Sequence, residues 1–447
     1  MRIPLLLGAL PLGEIAAITS GSFRGGCGGF VPRYLTTNSG EVQRGDLFCA
    51  LRDKRDGHAF AEEAQARGAC AVLAEHPCAV RLPHLLVPSV RRALGDWAKA
   101  TSRKEGLLRI GIAGSVGKTT LKDALAVLLD AAAPTHATSG NFNNDLGLPL
   151  TILSAPRDTR FCLCEMGVNH RGEMRRLSEI LAPHLSLITC IGHAHIGAFG
   201  SRRAIAEEKK AILAHAEQGG FFFVPAGEQL LSFLPPRGIR RIPVSPLSVE
   251  ECQRNGLPDL TDDPPRALCF AFCLAVTGVL GIPRDAVERA LPAALALQSR
   301  RKAVCVGSLL FLKDGYNASP ESVMASLRYL SSHARGRRVA VLGDMLELGE
   351  KSFAFHRAMG RFAVRCADLL FFFGASADAY ADGARAEGAA EGERGMGAPC
   401  FFTLCGDTRT LAQKIAPHLK KEDTVLFKAS HELGADAIAE ELEQYFS

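Results

Sequence analysis

The chain has 447 residues, 47% hydrophobic and 22% charged, a balance that excludes wholesale disorder and, at about 150 residues per domain, predicts two to four globular domains. A formal charge of +5 with no dense basic run excludes a nucleic-acid or anionic-membrane surface. Fourteen cysteines are scattered without a CxxC pair or zinc-knuckle spacing, which reads as reduced thiols in a cytoplasmic protein.

Met1-Arg2 followed by IPLLLGALPLG imitates a short signal peptide, but Pro4 and Pro11 interrupt the run, Glu14 follows and no small-x-small cleavage site is present. Secretion is therefore the weaker reading, and no run approaches the ~20 apolar residues of a membrane span. Residues 46–51 are predicted as a strand, 60–67 as a helix and 69–74 as the next strand, a small α/β unit over 1–88. From residue 89 a helix carrying Trp97 leads to an apolar strand at 107–113, bounded by Gly114, and then to a helix at 121–133. Further strands at 161–164, 185–190 and 220–224 give the alternation of a doubly wound parallel sheet over 89–302. The proline-rich, polar text at 235–265 reads as an exposed connection or excursion. A third, Rossmann-like α/β region over 303–447 has strands at 309–313, 338–342, 369–373 and 424–427. Its Gly/Ala/Glu-rich stretch 382–398 reads as a mobile loop.

The sharpest motif is GSVGKTT at 114–120, between a strand and a helix. A triphosphate needs backbone N–H donors at close approach, which Gly114, Ser115 and Gly117 allow. Lys118 can reach the β- and γ-phosphates, and the hydroxyl of Thr119 or Thr120 can ligate Mg²⁺. The usual P-loop pattern has a glycine at position 112, where this chain has Ile112. NFNNDLGLP at 141–149 packs amides and a turn into nine residues. Glu165 ends the next strand, where a carboxylate fits both a metal ligand and a solvated loop group. His193 and His195, in CIGHAH, end another strand and fit either packing or a role beside Mg²⁺ or phosphate, although Mg²⁺ prefers oxygen ligands. Lys209 and Lys210 lie on a helical run at 203–215 that reads as a solvated basic face. DGYNASP at 314–320 and LGDMLELG at 342–349 follow strands of the third region and imply that it closes over the nucleotide, with His431 and Glu432 as weaker additions.

These motifs, in this order, resemble the Mur ligase family, and the similarity runs along essentially the whole chain. NFNNDLGLP, EMGVNHRGEM at 165–174 and LGDMLELG favour the branch that joins D-Ala-D-Ala to UDP-MurNAc-tripeptide. GDLFCALRDKRDGHAFAEEAQARGACAVLAE at 45–75 is similar to the family's UDP-sugar-binding domain. The resemblance implies three domains: UDP-binding at 1–88, ATP-binding at 89–302, and a C-terminal ligase domain at 303–447 that binds the incoming dipeptide. It implies an ATP-dependent amide ligase of peptidoglycan precursor synthesis that works through an acyl phosphate, as a cytoplasmic monomer. By residue-wise carry-over, Thr119 or Thr120 and Glu165 serve one Mg²⁺, and His195 helps a second. Lys209 matches the lysine that the family carbamylates, Asp314 and Asn317 contact nucleotide, and Ser39 and Asn144 contact the UDP substrate. Lys118, Glu165, His195 and Lys209 form the implied catalytic set.

The chain departs from the family locally. Glu208 and Ala211 replace the usual neighbours of the carbamylated lysine, and Cys190 stands where asparagine is usual. Asp262 and Arg266 occupy the place of an HxxxN element, and Asn38-Ser39-Gly40 replaces Asp-Ser-Arg. Other readings are a folylpolyglutamate-synthetase-like ligase, which would lack LGDMLELG, and a P-loop switch or transport ATPase, which would leave the third region unexplained. A nucleotide-binding scaffold without turnover is also compatible with the substitutions.

Overall fold

Apolar runs of three to six residues form strands and the Ala/Leu-rich runs between them form helices, producing three six-stranded sheets in chain order. The computed structural model describes residues 1–446 except 27, 298–300 and 393–399.

The first sheet runs in spatial order Arg2–Pro4, Tyr34–Thr36, Leu47–Cys49, Ala71–Ala74, His84–Leu86, Ser22–Arg24, parallel within and antiparallel at both edges. The signal-like stretch is built into it: Arg2–Pro4 is an edge strand, and Leu5, Leu12 and Ile15 are buried. Leu6 and Gly8 both donate backbone N–H to Leu153 O, tying this segment to the second sheet's layer.

The second sheet is parallel throughout, ordered Arg240–Val244, Phe221–Pro225, Leu185–Ile188, Leu108–Ala113, Phe161–Glu165, Thr135–Ala137. Its inner strands are buried almost completely, as strands covered by helices on both faces must be. After Leu108–Ala113 the chain builds one side of the sheet and then crosses to the other. The crevice at that switch point collects residues 114, 165 and 189–190 from three adjacent strand ends.

The stretch 235–265 is not a mere exposed connection. It contributes the edge strand Arg240–Val244 and the helix Val249–Arg254, with Cys252, Leu257 and Leu260 buried. Its prolines sit where they cost little: Pro243 on an edge strand, and Pro264 and Pro265 in the first turn of the helix Pro264–Val279.

The third sheet is ordered Lys302–Val306, Leu309–Lys313, Thr424–Lys428, Arg338–Leu342, Leu369–Phe373, Cys400–Leu404, with only its first pair antiparallel. The two edge strands escaped the sequence pattern because edge positions alternate and are half exposed. The loop expected at 382–398 is helical to residue 392, as the end of Ala377–Gly392, and 393–399 lie outside the described residues. Gly383 is the reason for glycine inside that helix: a Cβ there would lie 1.9 Å from Arg357 O of the packed helix Ser352–Cys366.

Candidate active site

The strand Leu108–Ala113 ends in Gly114, and the helix Lys118–Asp130 begins at Lys118 rather than 121, because Gly117, at φ +84°, closes its N-terminus. Gly114 has φ +147°, and a Cβ on it would lie 1.9 Å from Thr189 Oγ1. That hydroxyl donates to Val116 O at 2.5 Å and so fixes the loop. Gly114→Ala is expected to lose about 1–3 kcal/mol of stability, read by denaturant titration, and to bind nucleotide more weakly because the loop must shift.

Two ammonium groups converge on one carbonyl: Lys118 Nζ donates to Gly114 O at 2.9 Å and Lys209 Nζ donates to the same oxygen at 3.2 Å. Lys209 lies not on a solvated face but at 3% exposure, on the inner side of the helix Arg202–Lys210. Burial, reinforced by the charge of Lys118, pulls its pKa down to about 7. The site thus holds one full cation and one amine poised between charge states, an arrangement that favours an anionic ligand.

Next to them, Thr119 Oγ1 donates to Glu165 Oε2 at 2.7 Å and Asn143 Nδ2 donates to Glu165 Oε1 at 2.9 Å. Glu165 is the last residue of its strand, is 1% exposed, and has its backbone N–H held by Thr138 Oγ1 at 2.9 Å. It is a buried carboxylate held by neutral donors, so the solvated-loop reading fails. Thr119 rather than Thr120 makes that contact, and Asn143 rather than Asn144 faces the carboxylate. The Asn144 side chain accepts from Leu146 N at 3.1 Å and Gly147 N at 2.9 Å, starting the helix Gly147–Ser154. Ser39 is likewise engaged locally, donating to Glu63 Oε2 at 2.6 Å.

The departures have physical accounts here. The Glu208 carboxylate accepts from Gly172 N and Met174 N, both at 2.8 Å, and caps the helix Glu173–Leu181, a role alanine could not fill. Cys190 lies under the loop: its Sγ accepts from Val116 N at 3.3 Å, its carbonyl accepts from Ser115 N at 3.0 Å, and burial pushes its thiol pKa up. Ser115 Oγ accepts from Gly192 N at 2.9 Å.

From the third sheet, Lys428, 3% exposed, organises DGYNASP. Its Nζ lies 3.1 Å from Asp314 Oδ1 and donates to Asn317 O at 2.7 Å. Asp314 also accepts from Ser326 Oγ at 2.5 Å, while Asn317 is exposed. In LGDMLELG, Asp344 is structural, accepting from Ala375 N and Ser376 N ahead of the helix Ala377–Gly392. Glu347 instead meets His195, Nδ1 to Oε2 at 2.5 Å, and that contact lowers its pKa. His431 reaches the Tyr316 ring, with centroids 6.0 Å apart, and Glu432 is exposed. Sequence reasoning missed Asn143, Thr189 and Lys428, whose roles depend on partners 22 to 114 positions away.

A cavity of about 420 Å³ separates the second and third regions, lined by His193, Asp262, Glu321, Tyr329 and Phe355 among others. Asp262 lines it, whereas Arg266 turns away to donate to Leu295 O at 2.7 Å. Elsewhere Asp56, His58 and His76 cluster, but His58 donates Nδ1–H to Asp56 and accepts from Glu75 N at Nε2, leaving no lone pair for a metal.

Residues 112–243 match the Mur ligase middle domain, and residues 285–431 match the Mur ligase glutamate ligase domain. The chain is 34% identical over 349 residues to UDP-N-acetylmuramoyl-tripeptide–D-alanyl-D-alanine ligase of Treponema pallidum, covering 70% of this chain and 74% of that one. It is 31% identical to the enzyme of that name from Mycobacterium bovis, covering 91% of each. The fold matches the crystal structure of MurF ligase from Thermotoga maritima in complex with ADP at a TM-score of 0.77 and 26% identity, over 92% of this chain and 97% of that one.

Proposed function

The chain belongs to the Mur ligase family, and from that premise we infer that it is an ATP-dependent amide ligase that adds D-Ala-D-Ala to UDP-MurNAc-tripeptide in peptidoglycan precursor synthesis. The observation that carries this reading is the extent of the likeness. Relatives named for that reaction match over nine-tenths of both chains, so the resemblance is not confined to the ATP loop.

The reaction must bring two anions together. The terminal carboxylate of the tripeptide attacks the γ-phosphorus of ATP, the bond to the β-phosphate oxygen breaks, and ADP leaves. The amine of D-Ala-D-Ala then attacks the acyl phosphate carbon and gives up a proton, and the tetrahedral intermediate collapses with loss of inorganic phosphate. In this reading the backbone N–H groups of Gly114 and Gly117 and the Lys118 ammonium hold the phosphates, the Ser115 N–H being taken by Cys190 O, with Thr119 and Thr120 at the start of the helix. Asp314 and Asn317 meet the nucleotide from the third region. The cavity lined by Tyr329, Phe355 and Asp262 is the place this reading gives to the adenine.

The residues suit Mg²⁺. Thr119 and Glu165 offer hard oxygen donors 2.7 Å apart, and the carboxylate is buried without charge compensation from its two hydrogen-bond donors. Bound there, Mg²⁺ would offset the charge of the triphosphate and the incoming carboxylate. Lys209 suits carbamylation, because only a neutral amine adds CO₂ and its pKa is about 7. As a carbamate it would supply oxygen ligands for a second Mg²⁺, which His195 would help to hold. Ser39 and Asn144 belong to the UDP-substrate side. The division into 1–88, 89–302 and 303–447, and a cytoplasmic monomer, complete the proposal. Among the described residues no helix is long and apolar enough to cross a membrane.

Phosphate release is the test. With UDP-MurNAc-tripeptide and ATP present, release is expected to depend on D-Ala-D-Ala. Release that ignores the dipeptide would sink the ligase reading, and a folded chain with no ATP turnover would point to a nucleotide-binding scaffold.

A further inference from the structure

One short loop ties the ATP loop to the third region. Backward, Cys190 O accepts from Ser115 N at 3.0 Å and Gly192 N donates to Ser115 Oγ at 2.9 Å. Forward, His193 N donates to Glu321 Oε1 at 3.0 Å, and the His193 ring meets the same carboxylate. His195 Nδ1 lies 2.5 Å from Glu347 Oε2, and Gly197 N donates to Glu347 O at 2.8 Å.

Backbone strain marks the same junction. Five non-glycine residues among those described have positive φ, and two of them, His195 at +62° and Glu347 at +65°, are bonded to each other. Each such conformation is unfavourable for a residue with a Cβ and persists only where its surroundings impose it. Here the two strained residues stand on opposite sides of a domain junction, each turning its side chain into the other.

We propose that Glu347 and Glu321 are positioning residues that couple docking of the third region to the geometry of the ATP loop through residues 190–197. The chemistry of the contact supports this. Glu347 fixes the orientation of the His195 ring through Nδ1, and it does so only while the third region is docked. Glu321 acts on the same loop from the first turn of the helix Pro320–His333 and lines the cavity assigned to adenine. The kinetic consequence rests on the ligase reading, whereas the docking itself rests only on the contacts.

The variant of choice is Glu347→Gly. It removes the carboxylate at a positive φ that glycine accepts without strain, so its effect does not come from a distorted backbone. In the full-length chain, kcat for dipeptide-dependent phosphate release is expected to fall ~10–100-fold while the dissociation constant for ADP stays within about two-fold. Backbone amides of residues 190–200 are expected to exchange deuterium at least ~10-fold faster. Glu347→Gln, which keeps an acceptor oxygen, should recover part of the loss, and Glu321→Ala should repeat the exchange effect at 193. Unchanged exchange across 190–200, a kcat within about two-fold of wild type, or an equal loss of ADP affinity each overturns the proposal. If the wild-type chain releases no dipeptide-dependent phosphate, the ligase reading falls and the exchange result alone decides the docking.

Discussion

Replacing Lys118 with alanine is expected to abolish ATP turnover, with a loss of at least ~10²–10³-fold in kcat. The ammonium lies 2.9 Å from Gly114 O at the start of the helix Lys118–Asp130, where the loop backbone, the helix N-terminus and Lys118 converge. Positive charge that is already in place costs nothing to reorganise during phosphoryl transfer, so its removal acts on the transition state. Folding should survive. Lys118 and Lys209 share one carbonyl, so deleting Lys118 removes a like-charge repulsion, and the substrate-free protein should be no less stable than wild type. The expected result is therefore a sample with an unchanged melting transition and no phosphate release. Activity within about ten-fold of wild type would remove Lys118 from the mechanism.

The second large effect concerns Lys209. Lys209→Ala should lower kcat ~10²-fold, and a short-chain carboxylate such as acetate should restore part of it by supplying the oxygens that the carbamate would have presented. Full activity in this variant would show the carbamate assignment to be wrong. The pH dependence follows from the depressed pKa. The amine is protonated below about 7 in the folded chain, and only its neutral form takes up CO₂. After CO₂ is removed, reactivation by bicarbonate should therefore be slow at pH 6 and rise as pH passes through about 7. The same shift has a stability consequence of definite sign. Between about 7 and the ordinary lysine value the unfolded chain binds more protons than the folded one, so stability from this group rises with pH across that window.

Motifs whose partners are close in sequence were legible from the chain alone. GSVGKTT needs only a strand before it and a helix after it, and both are local patterns of hydrophobic spacing. Edge strands and helices with proline or glycine were not legible. The segment 235–265 and the helix Ala377–Gly392 obey tertiary rules: a proline is harmless on an edge, and a glycine is needed where two helix backbones touch. The departures from the family pattern show the same division. Glu208 looked like a lost motif position until the helix it caps was in view, and within LGDMLELG, a motif expected over the nucleotide, Asp344 proved to cap another helix.

The opening features of this chain, its three α/β regions, small net charge and ordered motifs, are decided by the sequence, because hydrophobic period and turn chemistry act over a few residues. Which atoms share a site is decided by the fold. Glu165 meets Asn143 rather than its neighbour, Lys209 leaves a basic helix for a buried carbonyl, and Glu347 crosses to His195. Each outcome depends on which way a side chain faces once three sheets have packed, and burial then sets its charge. No spacing along the chain carries that information.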